Sequence, residues 1–320
     1  MANGSDGDMD PWQVVAERSV QHPSIVIIAL IRNEGRYLDE WIAFHWLQGV
    51  RKFVLFDDGS EDGTREILDK YIQRDIVDYR TVDRSAPHIT KDKGHIRIKM
   101  DYINASLKEI SAARDENGLH WVLLADADEF SYAKDPNLTL AQALEAHYKD
   151  EICANIFRKD LGSSGHILQP KSGLVIENYV YSARHHRTAA PRKLIINLRP
   201  HNESLKVTRV PDTHQLLNPK RAQCIDNSEN QLQMNQYLRS LEDYDIKVKT
   251  FYMPSDQKYK IDPLKHFWDR NRHDILDDSA PQRYACHVRL LLLYLLKSSP
   301  ADSYGQSSGT FDGDRLEANL

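Results

Sequence analysis

Over the first half of the chain, short and nearly continuous apolar runs alternate with longer stretches of helical periodicity. The runs Ile25 to Leu30, Lys52 to Phe56 and Trp121 to Ala125 have the texture of strands covered on both faces, as parallel strands in α/β sheets are. Between the first two, Leu38, Trp41, Ile42 and His45 fall at helical spacing within Tyr37 to Gln48, and Gly49 follows as a stop. That pattern predicts the first crossover helix. Further helices are predicted at Arg65 to Gln73, His95 to Arg114 and Leu138 to Lys149, before a strand at Ile152 to Phe157. Repeated strand–helix–strand units from Ser24 to about Asn155 imply an α/β architecture with a mostly parallel sheet flanked by helices.

After Asp160 the pattern changes to glycine-containing loops, with short strands predicted around Leu174 to Ser182 and Lys193 to Leu198. A helix is predicted after Asp226, with Met234, Tyr237, Leu238 and Leu241 facing the core. The run Leu290 to Leu296 reads as a buried helix, well short of the roughly 20 apolar residues that cross a bilayer. The expected organisation is a flexible leader over 1–22, a main α/β domain over 23–260, a C-terminal helical segment over 261–297 and a disordered tail over 298–320 rich in Ser, Gly and Asp. Within the domain, about 23–160 forms one half and about 161–260 the other.

With 41% hydrophobic and 28% charged residues the chain can fold around a sizeable core. A net charge of -5, with no basic stripe, sets nucleic acid aside as a partner. Cys153, Cys224 and Cys286 are far apart and form no CxxC pair, so neither a disulfide framework nor a zinc site is expected and a reducing, cytoplasmic setting fits. Residues 1–20 lack the apolar core of a signal peptide. Asn-x-Ser/Thr triplets at Asn3, Asn104, Asn137 and Asn202 carry no weight in that setting.

Three polar clusters follow predicted parallel strands: Arg32-Asn33-Glu34, Asp57-Asp58-Gly59-Ser60 and Asp126-Ala127-Asp128-Glu129-Phe130. Ligands bind at the carboxyl edge of such sheets, so the clusters are expected to share one crevice. Asp126 and Asp128, two residues apart, offer hard oxygen ligands to Mn²⁺ or Mg²⁺, whose charge suits a departing diphosphate. The plainer alternative makes them a loop cap and a solvated turn. Asp57 and Asp58 can accept hydrogen bonds from a nucleoside base and ribose, or can belong to a turn that caps the next helix.

Taken together, IIALIRNEGRYLDEWIAFHWLQGVRKFVLFDDGSEDGT, WVLLADADEF, LGSSGHILQPKSGLVIENYVY, PRKLIINLRP and NQYLRSLEDYDIKV resemble, in order, motifs of the glycosyltransferase family 2-like and family 92 group. The resemblance covers roughly Ser24 to Asp278. Leu161 and Gln236 depart from the usual Phe and His. The resemblance implies a GT-A fold, Rossmann-like, and an inverting transfer of a hexose such as galactose from a nucleotide-sugar donor, with a UDP-sugar first in line. It also implies a divalent metal, usually Mn²⁺, and a glycan, lipid-linked or protein-linked acceptor. Asn33, Glu34, Asp57, Asp58 and Asp126 are the expected donor-binding residues, and Asp126, Asp128 and His214 the expected metal ligands.

An inverting displacement needs a base opposite the leaving group. Glu242, ahead of Asp243, is the candidate, unless both only solvate a helix surface. Lys91, Lys93, Arg97 and Lys99 can attract a diphosphate or can simply be solvated, and His185-His186 reads as an exposed loop. Two rivals stand: a GT-A-fold binding protein without turnover, and a sugar nucleotidyltransferase, which the single glycine of Ile31-Arg32-Asn33-Glu34-Gly35 disfavours.

Overall fold

Successive side chains of a strand point to opposite faces, and in the central strands of this chain both faces are covered. Ile25, Ile27, Ala29 and Ile31 enter one apolar cluster with Phe53, Leu55, Trp121 and Leu123, while Val26, Ile28 and Leu30 enter a second with Val54, Phe56, Val122 and Leu124. This two-sided burial is why the runs are continuous rather than alternating. The computed structural model describes residues 10–18, 24–83, 85, 95–117, 119–182, 192–198, 209–212, 215–217, 224, 231–251, 263–271 and 273–298.

In chain order the elements are α1 (Pro11–Arg18), β1 (Ser24–Ile31), α2 (Gly35–Leu47), β2 (Val50–Asp57), α3 (Thr64–Ile72), β3 (Val77–Thr81) and α4 (His95–Asn117). Then come β4 (Leu119–Leu124), β5 (Glu129–Ala133), α5 (Leu140–Tyr148), β6 (Cys153–Leu161), α6 (Val175–Asn178), β7 (Tyr181–Ser182) and β8 (Arg192–Asn197). The remainder are β9 (Arg209–Asp212), β10 (Gln215–Leu217), β11 (Leu232–Tyr237), α7 (Leu241–Phe251), α8 (Pro263–Arg270), β12 (Ile275–Leu276) and α9 (Ser279–Ser298).

The main sheet runs β12-β7-β6-β8-β4-β1-β2-β3, with β11 pairing β6 and β5 beside it. β1 is parallel to β2 and to β4, and β2 to β3. β8 is antiparallel to both β4 and β6. The α/β class and the mostly parallel core therefore stand as expected, with antiparallel strands added on the β8 side. α2 and α9 pack on the first cluster through Leu38, Trp41, Ile42, Val288, Leu291 and Leu295. α4 covers the second through Ile98, Ile103 and Leu107.

Several expectations are corrected. The helix predicted after Asp226 is β11 followed by α7: Met234 and Tyr237 lie in a strand and Leu241 opens a separate helix. Apolar positions over so short a window fit either period, and pairing with both β5 and β6 decides for the strand. Between Leu174 and Ser182, where a strand was expected, Val175–Asn178 is helical. Glu177 returns to accept the Leu174 N–H at 2.9 Å, and Glu40 accepts the N–H groups of Val175 at 2.6 Å and Ile176 at 3.0 Å. Two carboxylates thus satisfy donors that open a helical turn.

The run Leu290 to Leu296 is helical, yet only one side is buried: Leu291, Leu292 and Leu295 are covered while Leu290, Leu293 and Leu296 are exposed. Within the expected leader, α1 is packed down by Trp12, whose indole donates to the Leu291 carbonyl at 3.1 Å and whose own carbonyl accepts from Trp46. Cys153 and Cys224 form a disulfide across a sequence separation of 71, while Cys286 is free and exposed. The pairing overturns the expectation of unpaired thiols, because partners that far apart leave no local spacing signature. It also runs against a reducing setting. Among the described residues no helix is long and apolar enough to cross a membrane.

Candidate functional site

β4, β1 and β2 are parallel neighbours, so the residues that follow them emerge on one edge of the sheet. The chain leaves β1 for β2 and β3 on one side and returns as β4 on the other. Loops after β1 and β4 therefore diverge, which opens the crevice where α/β sheets hold ligands. Arg239, buried just before α7, spans it: Nη1 donates to Glu34 at 2.6 Å and Nη2 to the Ala127 carbonyl at 2.9 Å. Its guanidinium lies 4.0 Å from the centroid of the Tyr37 ring.

The first two clusters are knitted to each other. Asn33, in the left-handed region at φ 53°, donates its N–H to Ser60 Oγ at 2.9 Å, and its side-chain oxygen accepts the Glu61 N–H at 2.8 Å. Asp57 Oδ1 accepts from the Ser60 N–H and hydroxyl at 2.8 and 2.7 Å, and Oδ2 accepts from the Tyr79 hydroxyl at 2.7 Å. Asp58 is buried beside it, with its N–H on the Ile31 carbonyl. Asn33 and Asp57 thus have clear structural work in shaping the edge, and Glu34 is the counter-ion of Arg239. The Tyr79 hydroxyl is pushed up to about 12 by burial and by its bond to Asp57.

The third cluster is the most charged. One carboxylate oxygen from each of Asp126, Asp128 and Glu129 lies within 4.8 Å of the others. Asp126 takes Lys99 on one oxygen and Lys193 on the other, the latter at 2.8 Å. Lys193, in β8 and 3% exposed, also reaches Glu129 at 2.9 Å. Asp128 Oδ2 holds the Lys247 ammonium at 2.5 Å and accepts from Gln236 at 3.4 Å, and Gln236 in turn accepts from Arg270.

Burial alone would raise the Asp126 carboxyl, but Lys193 and Lys99 override it and hold it well below the ordinary carboxylate range. At Asp128 burial is likewise outweighed, by Lys247 and Arg239. At Glu129 burial wins against Lys193, helped by the Asp126 and Asp128 charges, and lifts the carboxyl to about 7. Among the described residues, the buried acceptors Asp128 Oδ1 and Glu129 Oε1 have no donor. Leaving such atoms unsatisfied is costly, and hard oxygen donors so placed fit a divalent cation such as Mn²⁺ or Mg²⁺.

The two candidate bases differ sharply. Asp243 is buried and its carboxylate accepts from the Tyr37 hydroxyl at 2.6 Å, Gln169 Nε2 at 2.7 Å and the Ser240 hydroxyl at 2.5 Å. Such a carboxylate has few lone pairs left for an acceptor proton. Glu242 is exposed and accepts the Gln169 N–H at 2.8 Å. His214, His185, His186, Lys91 and Lys93 lie outside the described residues, as does the side chain of Arg97.

Glu129, Lys193, Arg239 and Lys247 were not singled out by sequence reasoning. Glu129 sits inside the recognised DADEF stretch, and Lys193 and Arg239 inside recognised motifs. Lys247 lies near the end of the recognised NQYLRSLEDYDIKV stretch, four residues after Asp243.

The chain is similar to a glycosyltransferase family 92 protein of Oryza sativa subsp. japonica, 27% identical over 153 residues, 47% of this chain and 24% of that protein. A family 92 protein of Ricinus communis is 25% identical over 103 residues, 32% of this chain and 15% of its own length. The chain thus spans about a quarter or less of the curated relatives it matches. Among solved structures, S. aureus TarS 1-349 covers 88% of this chain and 67% of its own at 18% identity, with a TM-score of 0.32. Glucosyl-3-phosphoglycerate synthase from Mycobacterium tuberculosis, in complex with Mn²⁺ and UDP, covers 53% and 55% at 11% identity, with a TM-score of 0.25. The model of glycosyltransferase family 92 matches residues 31–266, and with most of its length so matched this chain belongs to glycosyltransferase family 92.

Proposed function

We propose that the chain transfers a sugar, a hexose such as galactose, from a UDP-linked donor to a hydroxyl of a glycan, lipid-linked or protein-linked acceptor, with inversion at the anomeric carbon. The observation that carries the reading is the clustering of Asp126, Asp128 and Glu129 just after β4, where Asp128 Oδ1 and Glu129 Oε1 are buried with no donor among the described residues. Asp126, Asp128 and Glu129 would hold Mn²⁺ or Mg²⁺. When bound, such an ion supplies positive charge that stabilises a departing diphosphate.

The chain's own residues do the rest. Lys193, fixed between Asp126 and Glu129, keeps these two carboxylates together despite their mutual repulsion. Arg239 holds the backbone between Asp126 and Asp128 against Glu34, so the loops after β1 and β4 keep a fixed separation. The floor shaped by Asn33, Asp57 and Ser60 receives the nucleoside, with Asp58 beside it. Glu242, whose exposed carboxylate accepts the Gln169 N–H while Asp243 is enclosed by its donors, takes the acceptor proton. In this arrangement residues 23–160 form the donor side and 161–260 the acceptor side.

Release of UDP from UDP-hexoses with Mn²⁺, in the presence of a panel of glycan acceptors, tests the proposal. Turnover that disappears in a folded Asp128→Asn variant is expected. UDP binding without turnover against the whole panel would instead favour a binding protein of the same fold.

A further inference from the structure

We propose that Lys247 is a displaceable counter-ion, which occupies Asp128 in the ligand-free chain, gives way to a divalent cation, and then holds the diphosphate of the nucleotide donor. This rests on the reading of Asp126, Asp128 and Glu129 as the cation site, and deepens it.

Among the described residues three ammonium groups touch the acidic cluster, and they are not equivalent. Lys193 is 3% exposed, belongs to a sheet strand and is held by two carboxylates at once. Lys99, on α4, is 12% exposed and holds Asp126. Lys247, on α7, has a side chain 36% exposed and holds a carboxylate only 7% exposed. Of the three it has the most solvent to move into, and its four-carbon stem is flexible.

Asp128 offers it one oxygen while the other stays buried with no donor among the described residues. A single ammonium therefore neutralises Asp128 without satisfying it. A divalent cation sharing Asp128 with Asp126 and Glu129 would answer both needs, and like-charge repulsion would then drive Lys247 off. Glu34 also attracts Lys247 but is already held by Arg239, so the anionic ligand that arrives with the cation is left to compensate the displaced ammonium. A compact, strongly hydrated point charge of this kind suits diphosphate oxygens. Lys193, locked in place, continues to hold Asp126 and Glu129.

The consequence is a pair of opposite effects at one side chain. Lys247 competes with the cation and cooperates with the nucleotide. A residue that only braces α7 against the sheet would, when removed, weaken both or neither.

The test measures Mn²⁺ binding to the nucleotide-free protein by the electron paramagnetic resonance of free Mn²⁺, and UDP binding by calorimetry at saturating Mn²⁺. The wild type is compared with Lys247→Met, and with Lys247→Gln should the first not fold. Mn²⁺ is expected to bind at least about threefold tighter in the variant, and UDP at least about threefold weaker. Mn²⁺ affinity that is unchanged or weaker in the variant, while the wild type binds Mn²⁺, overturns the inference alone. So does tighter Mn²⁺ with unchanged UDP. Equal Mn²⁺ binding by wild type and Asp128→Asn, or none by either, overturns the underlying reading of the cation site as well.

Discussion

Arg239 meets Glu34 at 2.6 Å across 205 residues of sequence, and both side chains are buried. The guanidinium also caps the Ala127 carbonyl, so one side chain ties the loop after β1 to the acidic turn after β4. Burial would lower the Arg239 pKa, but Glu34 and Asp128 more than reverse that and keep it charged. Removing one partner of a buried pair leaves the other charge uncompensated, which typically costs about 3–5 kcal/mol. Arg239→Ala is expected to lose stability on that scale in urea unfolding. The double variant Glu34→Gln/Arg239→Met should recover part of the loss, since no lone charge then remains. Additive losses would mean that the pair is not coupled.

Glu242 and Asp243 adjoin in sequence and separate in role. Glu242→Gln is expected to leave unfolding unchanged and to lower kcat by about 10²-fold or more, the scale of general-base catalysis. Asp243→Asn replaces an oxygen that accepts hydrogen bonds by a donor facing other donors, at a cost of about 1–3 kcal/mol in stability. Parallel kcat and unfolding measurements separate the two. Unaltered kcat in Glu242→Gln would remove it as the base.

His45 supplies a pH test independent of the site. It is fully buried, with Nδ1 on the Trp41 carbonyl at 2.9 Å and Nε2 accepting the Ser131 N–H at 3.2 Å. These partners require the neutral tautomer protonated on Nδ1. Burial lowers its pKa to about 4, against the opposing pull of the Trp41 carbonyl. Between about 4 and the ordinary value near 6.5 the unfolded chain binds a proton that the folded chain does not. The His45 contribution is therefore present above pH 6.5 and is lost as pH falls through this window, by on the order of 3 kcal/mol. Unfolding free energies from pH 4 to 7 should fall less steeply on acidification in His45→Gln than in the wild type. Identical slopes would contradict the burial of a neutral imidazole.

The Cys153–Cys224 bond closes a loop of about 70 residues, for which chain-entropy arguments give about 4 kcal/mol. Reduction, or Cys153→Ser/Cys224→Ser, is expected to lower the melting temperature. Mass spectrometry of a non-reducing digest should show the two peptides linked. Free thiols at both Cys153 and Cys224 in chain produced under oxidising conditions would contradict the pairing.

What the sequence revealed and what it hid follow from the range of the forces involved. β1, β2 and β4 were legible because burial on both faces writes a continuous apolar run. The three clusters were legible because the parallel connection dictates which strand ends share an edge. β11 was misread because its apolar positions also fit a helical period, and only its partners β5 and β6 settle the matter. The bond between Cys153 and Cys224, the reach of Lys193 to Glu129, and the bridge from Arg239 to Glu34 all join segments distant in sequence. Their residue types were visible, but the distances between them exist only in the fold. At Asp57 the acidic signal was real and its meaning mixed, because both oxygens serve Ser60 and Tyr79.

Calorimetric titration of UDP into the wild type and into Asp128→Asn, each with and without Mn²⁺, bears most directly on the acidic cluster as a site for a cation and a nucleoside diphosphate. The account predicts that Mn²⁺ strengthens UDP binding to the wild type by about tenfold or more and has no such effect in the variant. UDP affinity indifferent to Mn²⁺ in the wild type, or equally enhanced in Asp128→Asn, would contradict it.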